Sequence, residues 1–268
     1  MTDADRGQVG IRAAEVYEEF FIPALFGQWA PQIVDLADVA PGDAVLDVGC
    51  GTGVLARAAN EVTGAGRVIG LDPNEGMLGV ARRSSNAISW RQGVAEDLPF
   101  PSAEFDAVLS QFAMMFFSDR SAAVREMARV VVAEGVVVVA TWASLDLTPG
   151  YAAMVSLLDR LFGSDAAAAL KMPFVLGDPD ELSAVLSPSF ESVDVSVREG
   201  TARFESIDSW VRTDVRGWTL SDMIDDRQFE ELQREARSSL THLTTENGSV
   251  AFPAPALVAI CRRPIAHA

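Results

Sequence analysis

Ala44-Val45-Leu46-Asp47-Val48 is a short apolar run that ends in Gly49-Cys50-Gly51-Thr52-Gly53, after which a helical pattern begins at Val54. A strand that stops in closely spaced glycines and opens a helix is built to hold something against its backbone. Glycines lack Cβ atoms, so a ligand can approach the main chain and the turn can adopt positive φ. The first turn of the helix offers N–H groups and the positive end of its dipole to that ligand. Downstream, Val68-Ile69-Gly70-Leu71 ends in Asp72, and Asn74 to Ser85 follows as a helix with Asn74 as N-cap and Glu75 in the first turn. Ile88 to Gln92, Phe105 to Gln111 and Val136 to Thr141 read as further strands, and Ser121 to Val132 has a helical period. Strands alternating with helices over residues 44–142 imply a parallel sheet with right-handed crossovers.

The flanks have a different character. Residues 11–29 carry Ala14, Tyr17, Phe21, Leu25 and Trp29 at helical spacing, with Pro23 expected to kink or split the helix. Gln32 to Asp38 reads as a second short helix, closed by the turn signal Ala40-Pro41-Gly42-Asp43. Beyond Trp142, residues 149–187 and 207–243 are mainly helical, separated by an alternating strand at 192–197 and followed by a final strand at 257–261. The expected organisation is a helical lid over 1–43, an α/β core over 44–142, and cap insertions over 143–268 that also hold the last two strands.

Composition narrows the function. A net charge of -17 opposes a phosphate-tracking surface, so no nucleic-acid partner is expected. Cys50 and Cys261 are too few for a disulfide scaffold. Residues 1–10 show no apolar leader segment, and no apolar run approaches a membrane span, so a soluble, cytoplasmic protein without a membrane partner is expected. The two histidines and two cysteines lie far apart, without metal-ligand spacing. A homodimer is compatible with these features.

The glycine loop leaves two ligand classes open. Gly51-Thr52-Gly53-Val54-Leu55-Ala56 satisfies the dinucleotide pattern G-x-G-x-x-A, which points to a nucleotide-dependent oxidoreductase. Asp47 argues the other way, because a carboxylate two residues before the first glycine repels a pyrophosphate and suits a positive amine. The run Leu46 to Gly53 resembles the first motif of class I S-adenosylmethionine-dependent methyltransferases, especially the subfamily of ubiquinone and menaquinone C-methyltransferases. Gly70-Leu71-Asp72-Pro73-Asn74-Glu75-Gly76-Met77-Leu78 resembles the second motif, and Gly93-Val94-Ala95-Glu96-Asp97-Leu98-Pro99-Phe100 the adenine-side motif. Phe105-Asp106-Ala107-Val108 and Arg129 to Val139 resemble the fourth and fifth strand regions, in order.

The resemblance implies a doubly wound, mostly parallel seven-stranded α/β sheet, a Rossmann-like methyltransferase fold with a helical cap. It implies S-adenosylmethionine as cofactor and methyl transfer to a small-molecule acceptor. Asp47 and the backbone of Gly49, Gly51 and Gly53 would meet the methionine end, with Thr52 adding a hydroxyl. Asp72 would accept hydrogen bonds from both ribose hydroxyls, Met77 would pack on the adenine, Ala95 would contact the base and Gln111 would line the methionine side. Val94 stands where the family often has Asp or Asn, leaving Glu96 or Asp97 to read the adenine amine. Ala133-Glu134-Gly135 replaces the family's Pro-Gly-Gly turn, remote from the cofactor.

The acceptor side is read from aromatic and Met residues. Tyr17 and Phe21 are candidates for a lid over the site, as opposed to plain helix packing, and Met115, Trp142 and Trp218 for an acceptor pocket. His242 is the candidate general base, because it is the only histidine outside the extreme C-terminus. Its apolar neighbours also fit an ordinary helix position. A non-catalytic cofactor-binding protein of the same fold is the remaining alternative.

Overall fold

The computed structural model describes residues 10–64, 66–217, 220 and 223–265. Residues 1–9, which were read for a leader segment, lie outside that range, as do Trp218 and His267.

The apolar runs pair into one seven-stranded sheet. Its strands are β1 Ala44–Val48, β2 Arg67–Asp72, β3 Ser89–Gln92, β4 Phe105–Gln111, β5 Val131–Trp142, β6 Phe190–Arg198 and β9 Ala256–Pro264. Their order is β3-β2-β1-β4-β5-β9-β6. All pairs from β3 to β5 are parallel, and β9 runs antiparallel to both neighbours. The expected doubly wound, mostly parallel seven-stranded sheet is therefore present.

Alternation along β5 shows how the two faces are covered. Val136, Val138, Ala140 and Trp142 join one core cluster, and Val137 and Val139 the other. The first face packs on α2 (Ala30–Leu36) through Ile33 and Val34, and on α3 (Val54–Thr63) through Leu55 and Ala56. The second packs on α5 (Arg120–Val130) through Val124 and Met127, and on α8 (Pro179–Leu186) through Leu182 and Leu186. A strand buried on both faces must be apolar throughout, which is why Val136–Val139 shows no alternation in sequence.

Strand order reverses at β1, which pairs with β2 on one side and β4 on the other. The crevice beyond the carboxyl ends of such strands is where open α/β sheets bind ligands. Asp47 lies near the end of β1, Asp72 ends β2 and Gln111 ends β4, so the topology gathers all three at that crevice. Asn74 caps α4 (Glu75–Ser84) as expected, its Oδ1 accepting from the Met77 N–H at 3.1 Å.

Two departures from the sequence reading have physical causes. The amphipathic stretch 11–29 is an α-helix, α1, only over Ile11–Val16, and continues as a π-helix over Tyr17–Phe26. Pro23 lies inside the wider turns, and the Gly27 N–H bonds Ile22 O, five residues back, at 2.7 Å. A residue without an N–H breaks the α ladder, and the widened register is a known answer to such a break. A two-stranded antiparallel ribbon, β7 Thr201–Phe204 with β8 Val250–Pro253, was not foreseen. Each strand has only four residues, too short for a period to register. The chain beyond β5 also contains α6 Pro149–Phe162, α7 Ser164–Lys171, α9 Ile207–Arg216 and α10 Asp226–Ser239. Among the described residues no helix is long and apolar enough to cross a membrane.

Candidate functional site

The glycine loop is tied to the end of β2. The Gly49 and Cys50 N–H groups both donate to Leu71 O, at 2.8 and 3.0 Å. The Gly51 N–H donates to Asp72 Oδ2 and the Asn74 N–H to Asp72 Oδ1, each at 2.8 Å. Asp72 is thus held by backbone on both oxygens, and each oxygen keeps a further acceptor position for a ligand hydroxyl. Burial pushes its carboxyl up to about 6, against the lowering effect of those two N–H donors.

Asp47 is more deeply buried, at 1 % exposure. Its Oδ2 accepts from the Ala56 N–H in the first turn of α3 at 3.0 Å, while Oδ1 has no hydrogen-bond partner among the described residues. One of the helix N-terminal donors expected to be open to a ligand is therefore taken by Asp47. Desolvation raises the Asp47 carboxyl to about 7, offset by the Ala56 bond, and the negative charge of Asp72 adds to the rise. The same burial and the same two carboxylates lift the Cys50 thiol well above its ordinary value. It stays protonated and is no nucleophile.

These groups open on a cleft of about 770 Å³, lined by Asp47, Gly49, Gly51, Thr52, Asp72, Met77 and Gln111 among others. Thr52 Oγ1 and Gln111 Oε1, like Asp47 Oδ1, are buried without hydrogen-bond partners among the described residues. Orphaned buried polar atoms converging on one space mark a place where a polar ligand completes the bonding. Gly53 caps α3 behind this wall, with its φ at +87°.

The residues of the expected adenine-side motif fall outside the cleft wall. Val94 is 45 % exposed, Ala95 is buried, and Glu96 Oε1 accepts from the Ser118 and Asp119 N–H groups at 2.6 and 3.2 Å. With Oε1 engaged in this way, Glu96 serves the start of α5. Asp97 is exposed.

A second cavity, about 540 Å³, adjoins the first and shares Tyr17, Phe112 and Phe116 with it. Its walls include the expected Phe21 and Trp142, with Tyr151, Phe174 and Asp214 as additions. Phe112 holds a positive φ of 53° directly after Gln111, and its ring stacks on Trp142 at 3.9 Å. Met115 is fully buried in the core and lines neither cavity. His242 is exposed in a 3₁₀ turn, Thr241–Leu243, and also lines neither. The short turn, rather than a packed helix, keeps its imidazole at the surface.

Asp214 was missed in the sequence. A signal was available: on α9 it falls among Ile207, Trp210, Val211 and Val215, so the apolar stripe of that helix contains a carboxylate.

Comparison with known proteins agrees with the motif reading of the core. Residues 46–139 match the family model described as a methyltransferase domain. The 2-phytyl-1,4-beta-naphthoquinone methyltransferase of Arabidopsis thaliana is 39 % identical over 131 residues, 44 % of this chain and 50 % of that protein. A ubiquinone/menaquinone biosynthesis C-methyltransferase of Xanthomonas oryzae pv. oryzae is 42 % identical over 109 residues, 38 % of this chain and 43 % of that protein. The chain thus spans about half the length of the curated relatives it matches. Among solved structures, phosphoethanolamine N-methyltransferase 2 of Haemonchus contortus, in complex with phosphomonomethylethanolamine and S-adenosylhomocysteine, superposes with a TM-score of 0.59 at 16 % identity. The match covers 93 % of this chain and 56 % of that one. The resemblance to class I methyltransferases is borne out over the core.

Proposed function

We propose that the chain is an S-adenosylmethionine-dependent methyltransferase acting on a small, ring-bearing acceptor. The observation that carries the reading is the sign and state of the cleft: two buried carboxylates, one with an unpartnered oxygen, beside a glycine loop. Such a site favours a ligand with an amine at one end and a vicinal diol at the other. It disfavours a dinucleotide, because Asp47 already fills a helix N-terminal donor and sets a carboxylate where the pyrophosphate would lie.

S-adenosylmethionine, when bound, supplies an electrophilic methyl group on a sulfonium. Asp47 Oδ1 would hold the amine, Thr52 and Gln111 the polar methionine end, and Asp72 both ribose hydroxyls. Met77, buried in the wall, would pack on the base. The aromatic cavity would orient the acceptor and exclude water, which is most of what the protein must add to such a displacement. The name of the naphthoquinone relative and the flat stacked wall of Phe112 and Trp142 both support a ring-bearing acceptor. Incubation with methyl-labelled S-adenosylmethionine and a panel of hydroxylated aromatic and quinol-type rings should transfer label to at least one of them. Cofactor binding without transfer to any of the panel would favour the non-catalytic reading.

A pH dependence follows from the two carboxyls. In the free protein they hold protons up to about 7 and about 6, and a ligand amine and diol favour their charged forms. Binding therefore releases protons, so S-adenosylhomocysteine affinity should rise with pH through this window and level off above it. The slope can reach about tenfold per pH unit per group. Both folded values lie above the unfolded one, so the free protein gains stability from these carboxyls as pH falls and loses it as pH rises to 7. Calorimetry across pH 5–8 checks the first trend and thermal melting of the free protein the second.

A further inference from the structure

Among the residues that line the aromatic cavity there is one carboxyl group, that of Asp214. Asp214 is 3 % exposed on α9 and lines the cavity with Tyr151, Phe174 and Trp142. Its Oδ1 accepts from the Tyr151 hydroxyl at 3.2 Å, and its Oδ2 has no hydrogen-bond partner among the described residues. Among the described residues the ion pairs of α9 lie at its two ends, Asp208 with Arg237 and Arg216 with Asp226. Burial is the largest influence on the Asp214 carboxyl and raises it to about 8, against the Tyr151 bond and the nearby Trp210 indole. With Oδ2 unpartnered, the carboxyl is costly to bury unless something in the cavity completes it.

We propose, on the basis of the methyltransferase reading above, that Asp214 is the acceptor-binding base: its Oδ2 receives the hydrogen bond, and then the proton, of a hydroxyl carried by a flat aromatic acceptor. The position of Asp214 in a cavity that shares Tyr17, Phe112 and Phe116 with the cofactor cleft puts the acceptor next to the methyl donor. The O–H bond breaks and its proton passes to Oδ2. An oxygen electron pair forms the new O–CH₃ bond, and the S–CH₃ bond breaks with its pair left on sulfur as a neutral thioether. Charge decides between a hydroxyl and an ammonium. An ammonium would set a second cation beside the sulfonium in apolar surroundings, whereas a hydroxyl that gives its proton to Asp214 becomes an oxyanion facing that sulfonium. Tyr151 fixes the carboxylate through Oδ1 and acts as a positioning residue.

The test uses the full chain saturated with sinefungin, a cofactor analogue whose protonated amine stands where the sulfonium would be, titrated with 1-naphthol, 1-methoxynaphthalene and 1-naphthylmethylammonium. Naphthol is expected to bind at least tenfold tighter than the other two. Asp214→Leu should abolish that preference and leave S-adenosylhomocysteine affinity unchanged, which also shows that the variant is folded. Asp214→Asn keeps an acceptor atom but no base. With methylatable naphthols its KM should change little while kcat falls by about a hundredfold or more. Tighter binding of the ammonium, equal binding of naphthol and its ether by the native chain, or an unchanged kcat in Asp214→Asn would overturn the proposal. Loss of S-adenosylhomocysteine binding by the native chain would instead remove the methyltransferase premise, and the proposal with it.

Discussion

Replacing Asp72 with alanine is expected to weaken S-adenosylhomocysteine binding by at least a hundredfold. The ribose diol would meet both carboxylate oxygens, and each hydrogen bond to a charged group contributes about 1.5–3 kcal/mol. Two such bonds come to about 3–6 kcal/mol, and even the lower figure is more than a hundredfold in Kd. The variant also strips acceptors from the Gly51 and Asn74 N–H groups, which Asp72 holds at 2.8 Å. The loop should therefore loosen as well as lose its ligand contact. Asp72→Asn separates the two effects, because its amide oxygen keeps one backbone bond while the charge is gone. Calorimetry on both variants checks the expectation, and affinities within threefold of the native chain would remove Asp72 from the site.

Gly53→Ala should produce a large loss of stability. Gly53 has a φ of +87°, and an added Cβ would lie 2.2 Å from Trp90 Cη2 and 2.8 Å from Cζ3. Left-handed backbone costs an L-residue about 1–2 kcal/mol, and an overpacked methyl about 1–3 kcal/mol more. At roughly 2–4 °C per kcal/mol the melting temperature should fall by several degrees or more. Gly51→Ala is the control, since its φ of +53° imposes the strain but no atom lies within 4 Å of the new Cβ. It should cost about the strain alone. Adding Trp90→Leu to Gly53→Ala should recover the packing part and leave the backbone part. Equal melting temperatures for the two glycine variants would show that Trp90 does not press on the loop.

The core over residues 44–142 was legible because its signals are local. β1, the glycine loop and α3 are contiguous, and Asp72 announces itself as the polar end of an apolar strand. Asp47 was noticed for its charge. Its bond to the Ala56 N–H could not be read from spacing, since it depends on how the loop folds the helix start back over the strand. The second cavity was only partly legible. It draws on residues from the π-helix, the segment after β4, the end of β5, α6 and α9, and contacts so distant in sequence leave no local period. Tyr17, Phe21 and Trp142 stood out as aromatics, whereas Asp214 resembled one more charge on a helix rich in them. His242 stood out only by residue type, and the 3₁₀ turn that exposes it has no sequence signature.

The central claim is that the cleft between β1, β2 and β4 takes S-adenosylmethionine and not a dinucleotide. Titration of the purified chain with S-adenosylhomocysteine and, separately, with NADH tests it most directly. Saturable binding of S-adenosylhomocysteine at one site per chain is expected, with no measurable binding of NADH. Saturable binding of NADH with none of S-adenosylhomocysteine would contradict it.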